Sequence, residues 1–257
     1  RGQDRPSHAS QVEVSEETSS GIAAVIEKAA GLRSPRWEEA DKSLLALRRT
    51  ALDENAPAPI RLQSALELSP MLLRMGLGGV AQAMLESLQN TAVEVSMTHE
   101  WQCALVDLML GTHSFDPLHA FMAQSEDDVR NPEQRSQWLL RKAHLALRED
   151  RFTEAKALLD EAAQLGQSPA IDHAQGQSLT AMDEWEQAVP WLEKAAKHLD
   201  DPLQRAHALI DLGRVLQGLG RTEASENAFN EAAGLGHEAP PILALIHHHR
   251  FQGATAR

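Results

Sequence analysis

The chain has 257 residues and a formal net charge of -13, enough length for one large domain or two ordinary ones. Such an acidic balance excludes a general nucleic-acid binder, because a phosphate backbone rewards Lys and Arg. Hydrophobic residues make up 42% and aromatics only 4%, with no Tyr; apolar content dominated by Ala and Leu favours helix over sheet.

Residues 1–15 are polar, contain Pro6 and lack periodic apolar positions, which reads as a flexible N-terminal arm. The first twenty residues have no signal-peptide core, and no apolar run reaches the roughly 18 residues of a membrane span. The expectation is a soluble protein, cytoplasmic or periplasmic. A chain beginning at Arg1 leaves room for a removed leader or a membrane tether upstream. The lone Cys103 lies in the apolar stretch from Trp101 to Leu110, so an intrachain disulfide is excluded and core packing is its expected role.

Beyond the arm, the pattern changes to helices of about four turns separated by short breaks. Breaks fall near Ser34-Pro35, Asn55-Ala56-Pro57, Gly76 to Gly79, Gly111 to Pro117, Asn131-Pro132, Asp150, Pro169, Asp183, Pro202, Gly220 and Pro240, which predicts roughly thirteen helices. A second-helix signature is weak in the first half: Trp37, Ala40, Leu44 and Leu47, then Gly78, Ala81, Leu85 and Leu88, with Pro117 and Ala120 marking another. Pro70 is expected to kink or end a helix before Gly76. Residues 16–131 therefore read as degenerate helical hairpins.

Three segments in the second half share one internal spacing. Ala143 is followed by Phe152, Ala155, Leu159 and Ala162; Gly176 by Trp185, Ala188, Leu192 and Ala195; Gly213 by Thr222, Ser225, Phe229 and Ala232. A small residue in the middle of each first helix lets the second helix approach, while Leu or Phe one turn on fills the gap. A bulky side chain at Gly176 or Ala188 should push the pair apart. The aromatics at Phe152 and Trp185 are expected to cover the open end of their hairpins.

These residues resemble the tetratricopeptide repeat (TPR), whose pattern runs W-x2-L-G-x2-Y and then A-x3-F. Leu209, Leu212, Gly213, Leu216, Ser225, Phe229 and Ala232 form the best copy. Leu209 and Leu216 replace the first-helix aromatics there, and Asp172 and Leu179 replace them in the copy before, so the repeats are divergent. The anchors Ala155, Ala188 and Ser225 are 33 and 37 residues apart, close to the family period of about 34. The resemblance implies an all-α, right-handed α-α superhelix, a TPR-like solenoid of about six hairpins plus a C-terminal capping helix. Residues 132–257 would hold three TPR repeats and that cap, the segment from Ala239 to Arg250 covering the last apolar face.

The resemblance also implies a function: a non-enzymatic scaffold or assembly adaptor, of a kind common in bacteria, that binds a protein or peptide in a concave groove lined by first helices. Transferring the family's exposed positions gives Gln137, Leu140, His144 and Arg148 in the first copy. They become His173, Gln177 and Thr180 in the second, and His207, Ile210, Arg214 and Gln217 in the third. None is acidic, although residues 149–202 hold twelve acids against four bases; the groove is expected to be neutral to basic, with Arg148 and Arg214 engaging a carboxylate. His144, His173 and His207 on one face would make binding pH-dependent. The carboxylate-clamp variety of the family uses Lys and Asn where this chain has Leu140, His144 and His173, so a clamp for chaperone C-termini is not expected.

Two other functions remain open: a regulatory or sensor module of a larger protein and, ranked lowest, a helical-repeat enzyme built around His113, Asp116 and His119. Those three residues have a simpler reading as a turn followed by a helix start, with Asp116 as cap before Pro117. His247-His248-His249 cannot all face one ion, because adjacent helical residues point about 100° apart; His249 continues the Ile242 and Ile246 face. The acids Glu126-Asp127-Asp128, Asp183-Glu184 and Asp200-Asp201 fall at helix starts or in loops, and negative charge at a helix start suits the dipole. No metal, cofactor or catalytic residue is assigned, and the oligomeric state is left open.

Overall fold

The structure is a computed structural model that describes residues 38–129, 131–235 and 240–255; the arm at 1–15 and the breaks and anchors before Glu38, including Ser34-Pro35 and Trp37, lie outside them. Every regular element among the described residues is helical. The chain divides into two compact units at Asp128/Val129.

The first unit contains α1 (Glu38–Leu52), α2 (Ala58–Arg74), α3 (Gly78–Ser87), α4 (Gln89–Glu94), α5 (Thr98–Gly111) and α6 (Phe115–Ser125), followed by a 3-10 turn at Glu126–Asp128. Its core joins Leu44, Leu62, Leu68, Leu72, Leu85, Trp101 and Leu105. Trp101 donates its indole N–H to Leu85 O at 2.6 Å and packs edge-on against Phe121. Cys103 is a buried core residue, with Sγ 3.4 Å from His99 Nε2.

Three expectations change in this unit. Pro70 neither ends nor breaks α2, which continues to Arg74. Proline cannot donate to the carbonyl four residues back, and Ser69 Oγ supplies that bond instead, donating to Leu66 O at 3.0 Å. The Pro117 and Ala120 register is also wrong: the buried residues of α6 are Leu118, Met122 and Ser125. Asp116 lies inside the first turn of α6, the cap position belongs to Ser114, and no side-chain cap bond forms. His113 instead makes the turn, at φ 57°, and packs edge-on against Phe115. Among the described residues no group of three or more His, Cys, Asp or Glu is arranged to hold a metal.

The second unit comprises α7 (Pro132–Arg148), α8 (Phe152–Leu165), α9 (Pro169–Ala181), α10 (Trp185–His198), α11 (Pro202–Gly218), α12 (Thr222–Leu235) and α13 (Pro240–Thr255). Each first helix opens with the same device. Asn131, Ser168 and Asp201 accept backbone N–H bonds from Gln134, Ile171 and Leu203, and each is followed by Pro at the first helical position, where no N–H is needed. Each first helix also ends alike: Asp150, Asp183 and Gly220 adopt positive φ. The next residue's N–H then reaches back five residues, from Arg151 to Ala146 O, Glu184 to Leu179 O and Arg221 to Leu216 O, a Schellman turn.

Between these turns the hairpins close as the spacing predicts. Ala155, Ala188 and Ser225 are buried, as are Leu159, Leu192 and Phe229. Ser225 donates its hydroxyl to Gly213 O at 2.7 Å. Trp185 does more than cover its own hairpin, for its ring presses on Gly218 of the next first helix, within 1.9 Å of where a β-carbon there would sit. The array ends as expected of a TPR-like solenoid: Ile242 and Ile246 of α13 are buried with Ile210, Phe229 and Ala232. His249 is half-buried on that face while His247 and His248 are exposed. No helix among the described residues is long and apolar enough to cross a membrane.

Candidate functional site

Successive first helices α7, α9 and α11 meet one another as well as their own second helices, so their outward positions form one face. Most of the transferred residues are on it. Gln137, Arg148, His207 and Arg214 are exposed; Leu140, His144, His173, Gln177, Thr180 and Gln217 are half-buried. Ile210 is not available, being 1% exposed. The capping helix takes that position, since Ile210 shares its core cluster with Ile242 and Ile246. Thr180 spends its hydroxyl on Gly176 O one turn back, at 2.7 Å.

The face is not free of acid. Asp211 of α11 lies on it, and His173 Nε2 and Gln177 Nε2 both reach the same oxygen, Oδ2, at 2.9 Å. His173 and Gln177 are one turn apart on α9, so a pair of side chains from one helix grips a carboxylate from the next. Burial pushes the Asp211 carboxyl up, but the bonds from His173 and Gln177 and the charge of Arg214 outweigh it and hold it below the ordinary carboxylate value. Sequence transfer missed Asp211 because the copies hold Arg141 and Ala174 at its position. The signal was nevertheless present: His207, Asp211 and Arg214 are spaced four and three apart, one stripe of one helix.

His173 sits between two other histidines and influences both. Burial, then His173, Arg141 and Arg148, depress His144 to a pKa of about 4. His207 is also lowered, first by burial, with Asp211 opposing and His173 reinforcing. The expected three-histidine pH response is therefore corrected: the fold holds His144 neutral in mildly acidic solution, and it shifts His207 in the same direction.

Charge is divided between the two helix layers. The first helices carry Arg135, Arg141, Lys142, Arg148, Arg205 and Arg214 against Glu133 and two buried or half-buried acids, Asp172 and Asp211. The second helices carry eight acids and three lysines. Two first-helix cations are paired with acids of their own second helices: Arg135 with Glu161, and Arg205 with Glu231. Asp172, 2% exposed, is held by Gln167 and Lys194. Arg148 and Arg214 are exposed and make no ion pair among the described residues.

No protein-family model matches the chain, and no curated protein matches it. Among solved structures it is similar to a kinesin light chain-type protein of Podosopora anserina with nearly identical TPR-like repeats, at 16% identity and a TM-score of 0.47, over 70% of this chain and 97% of that one. A single-substitution variant of the same protein gives 17% identity, a TM-score of 0.48, and coverage of 72% and 98%. The TPR-like character of the fold rests on the spacing, turns and packing of this chain's own hairpins.

Proposed function

We propose that this chain is a non-enzymatic protein-interaction scaffold or assembly adaptor, and that a protein or peptide segment binds along the first helices α7, α9 and α11. TPR-like helical repeats are commonly interaction scaffolds, because stacked hairpins present a long surface without spending core residues on it. The observation that carries the reading is the pair Arg148 and Arg214, two exposed guanidinium groups that form no ion pair among the described residues, on a face where Arg135 and Arg205 are paired with second-helix acids. Guanidinium groups present a planar fork of donors suited to carboxylates. A ligand supplying those carboxylates would span at least two repeats.

The test is affinity capture with the wild-type chain and an Arg148→Glu, Arg214→Glu variant. Both positions are exposed, so the variant should melt within a few degrees of wild type. Partners recovered by the wild type should be lost or strongly depleted with the variant. Identical recovery at equal strength removes the reading.

A further inference from the structure

The Asp211 carboxylate is used on one side only. Both bonds from α9 land on Oδ2, leaving Oδ1 uncommitted, and the side chain keeps 18% of its surface exposed. Arg214, exposed on the same helix, acts on this carboxylate, and Arg148 is exposed on the same run of first helices, two helices away. A fixed anionic acceptor on the same face as exposed cations is a pattern that a uniform ligand cannot match. A run of carboxylates would satisfy the arginines and be repelled at Asp211; a basic segment would suit Asp211 and be repelled by the arginines.

We propose that Asp211 is the specificity-determining residue of this face, taking one N–H donor from a bound acidic segment whose flanking carboxylates meet Arg148 and Arg214. The inference rests on the binding face proposed above and adds the ligand's chemistry: acid, donor, acid, in extended form. The N–H comes from the backbone or from an amide side chain, and its bond is charge-assisted because Asp211 is ionised. His173 and Gln177 are positioning residues, since they fix the carboxylate through Oδ2 and leave Oδ1 for the ligand.

A structural role for Asp211, tying α9 to α11, uses Oδ2 alone, and this separates the two readings. In an Asp211→Asn variant the amide oxygen can keep both bonds from His173 and Gln177, while the amide nitrogen takes the outward place. The tie is conserved, and the acceptor presented to the ligand becomes a donor.

The experiment is selection from a displayed library of random twelve-residue peptides on the full chain, its Asp211→Asn form and its Arg148→Glu, Arg214→Glu form. The wild type should enrich net-acidic peptides that contain one interior position where Asp or Glu is excluded. A synthetic peptide of the enriched sequence should bind the Asp211→Asn protein about tenfold or more weakly, with the melting temperature little changed. Enriched peptides without acidic bias, or equal affinity for wild type and Asp211→Asn, overturn the inference and leave the binding face standing. No enrichment at all, or enrichment indifferent to the double arginine variant, overturns the face itself.

Discussion

Gly176 and Leu192 touch where the second hairpin closes: a β-carbon built on Gly176 would sit 2.5 Å from both Cγ and Cδ2 of Leu192. Leu192 is 0% exposed, so its branch point cannot swing into solvent to make room. Placing Ala in a helix interior ordinarily gains up to about 1 kcal/mol over Gly. The overlap reverses the sign, since forcing extra volume into a packed core costs about 1–3 kcal/mol. Gly176→Ala should therefore lower stability by about 1–2 kcal/mol in urea unfolding. Gly79→Ala is the matched control, because nothing lies within 4 Å of its β-carbon position; it should be neutral or stabilising.

The turns between paired helices give a prediction of opposite sign. Asp183 holds φ 60°, a conformation strained for a residue with a side chain and free for glycine. Its counterpart in the following hairpin is already glycine, Gly220 at φ 74°. Asp183 is exposed and its backbone N–H, bonded to Thr180 O at 3.2 Å, does not depend on the side chain. Asp183→Gly should raise stability by about 0.5–1 kcal/mol, read as a higher melting temperature with an unchanged helical spectrum.

The contrast between these two positions explains what the sequence could reveal. Gly176, Ala188 and Leu192 were legible because close helix packing demands small and large residues at fixed spacing, and the Asn, Ser or Asp before Pro132, Pro169 and Pro202 marks helix starts locally. The short α4 was not legible: Gln89 to Glu94 follows Leu88 with no Gly or Pro to mark the break. Asp211 was hidden for a different reason. Its role is set by His173 and Gln177, 38 and 34 residues away, and residue-by-residue transfer from a repeat pattern carries no information about a pairing that occurs in one copy. Ile210 matched the pattern but was covered by the capping helix, a terminal effect that repeats do not encode.

Stability should depend on pH through His144. Its pKa is about 4 in the folded chain against 6.5 ordinarily, so the unfolded chain takes up a proton below pH 6.5 that the native chain refuses until about pH 4. Native stability is unaffected above 6.5 and falls as pH drops through that window, by up to about 3 kcal/mol. His207, lowered in the same direction, adds to the slope. Asp211 acts in a lower window: its depressed carboxyl contributes stability that is lost as pH falls below the ordinary carboxylate value of 3.8. Replacing His144 by Gln should flatten the curve between pH 7 and 4.5, narrowing the loss by about 2 kcal/mol. Parallel urea titrations of the two proteins that keep the same slope would show that His144 is not held neutral.

The proline inside α2 supplies a test of coupling. Pro70 deprives Leu66 O of its helical donor, and Ser69 Oγ fills the vacancy at 3.0 Å while itself only 2% exposed. Ser69→Ala should cost about 1–2 kcal/mol, because a buried carbonyl loses its bond. Pro70→Ala restores an N–H to that carbonyl, so the serine hydroxyl becomes redundant and Ser69→Ala in that background should cost well under 1 kcal/mol. The two effects should thus be non-additive by about 0.5–1 kcal/mol in a double-mutant cycle. Strict additivity would mean that Leu66 O is satisfied in some other way and that α2 tolerates Pro70 without the help of Ser69. Non-additivity would explain how a residue that ordinarily ends a helix sits within one, by a hydroxyl placed one position before it.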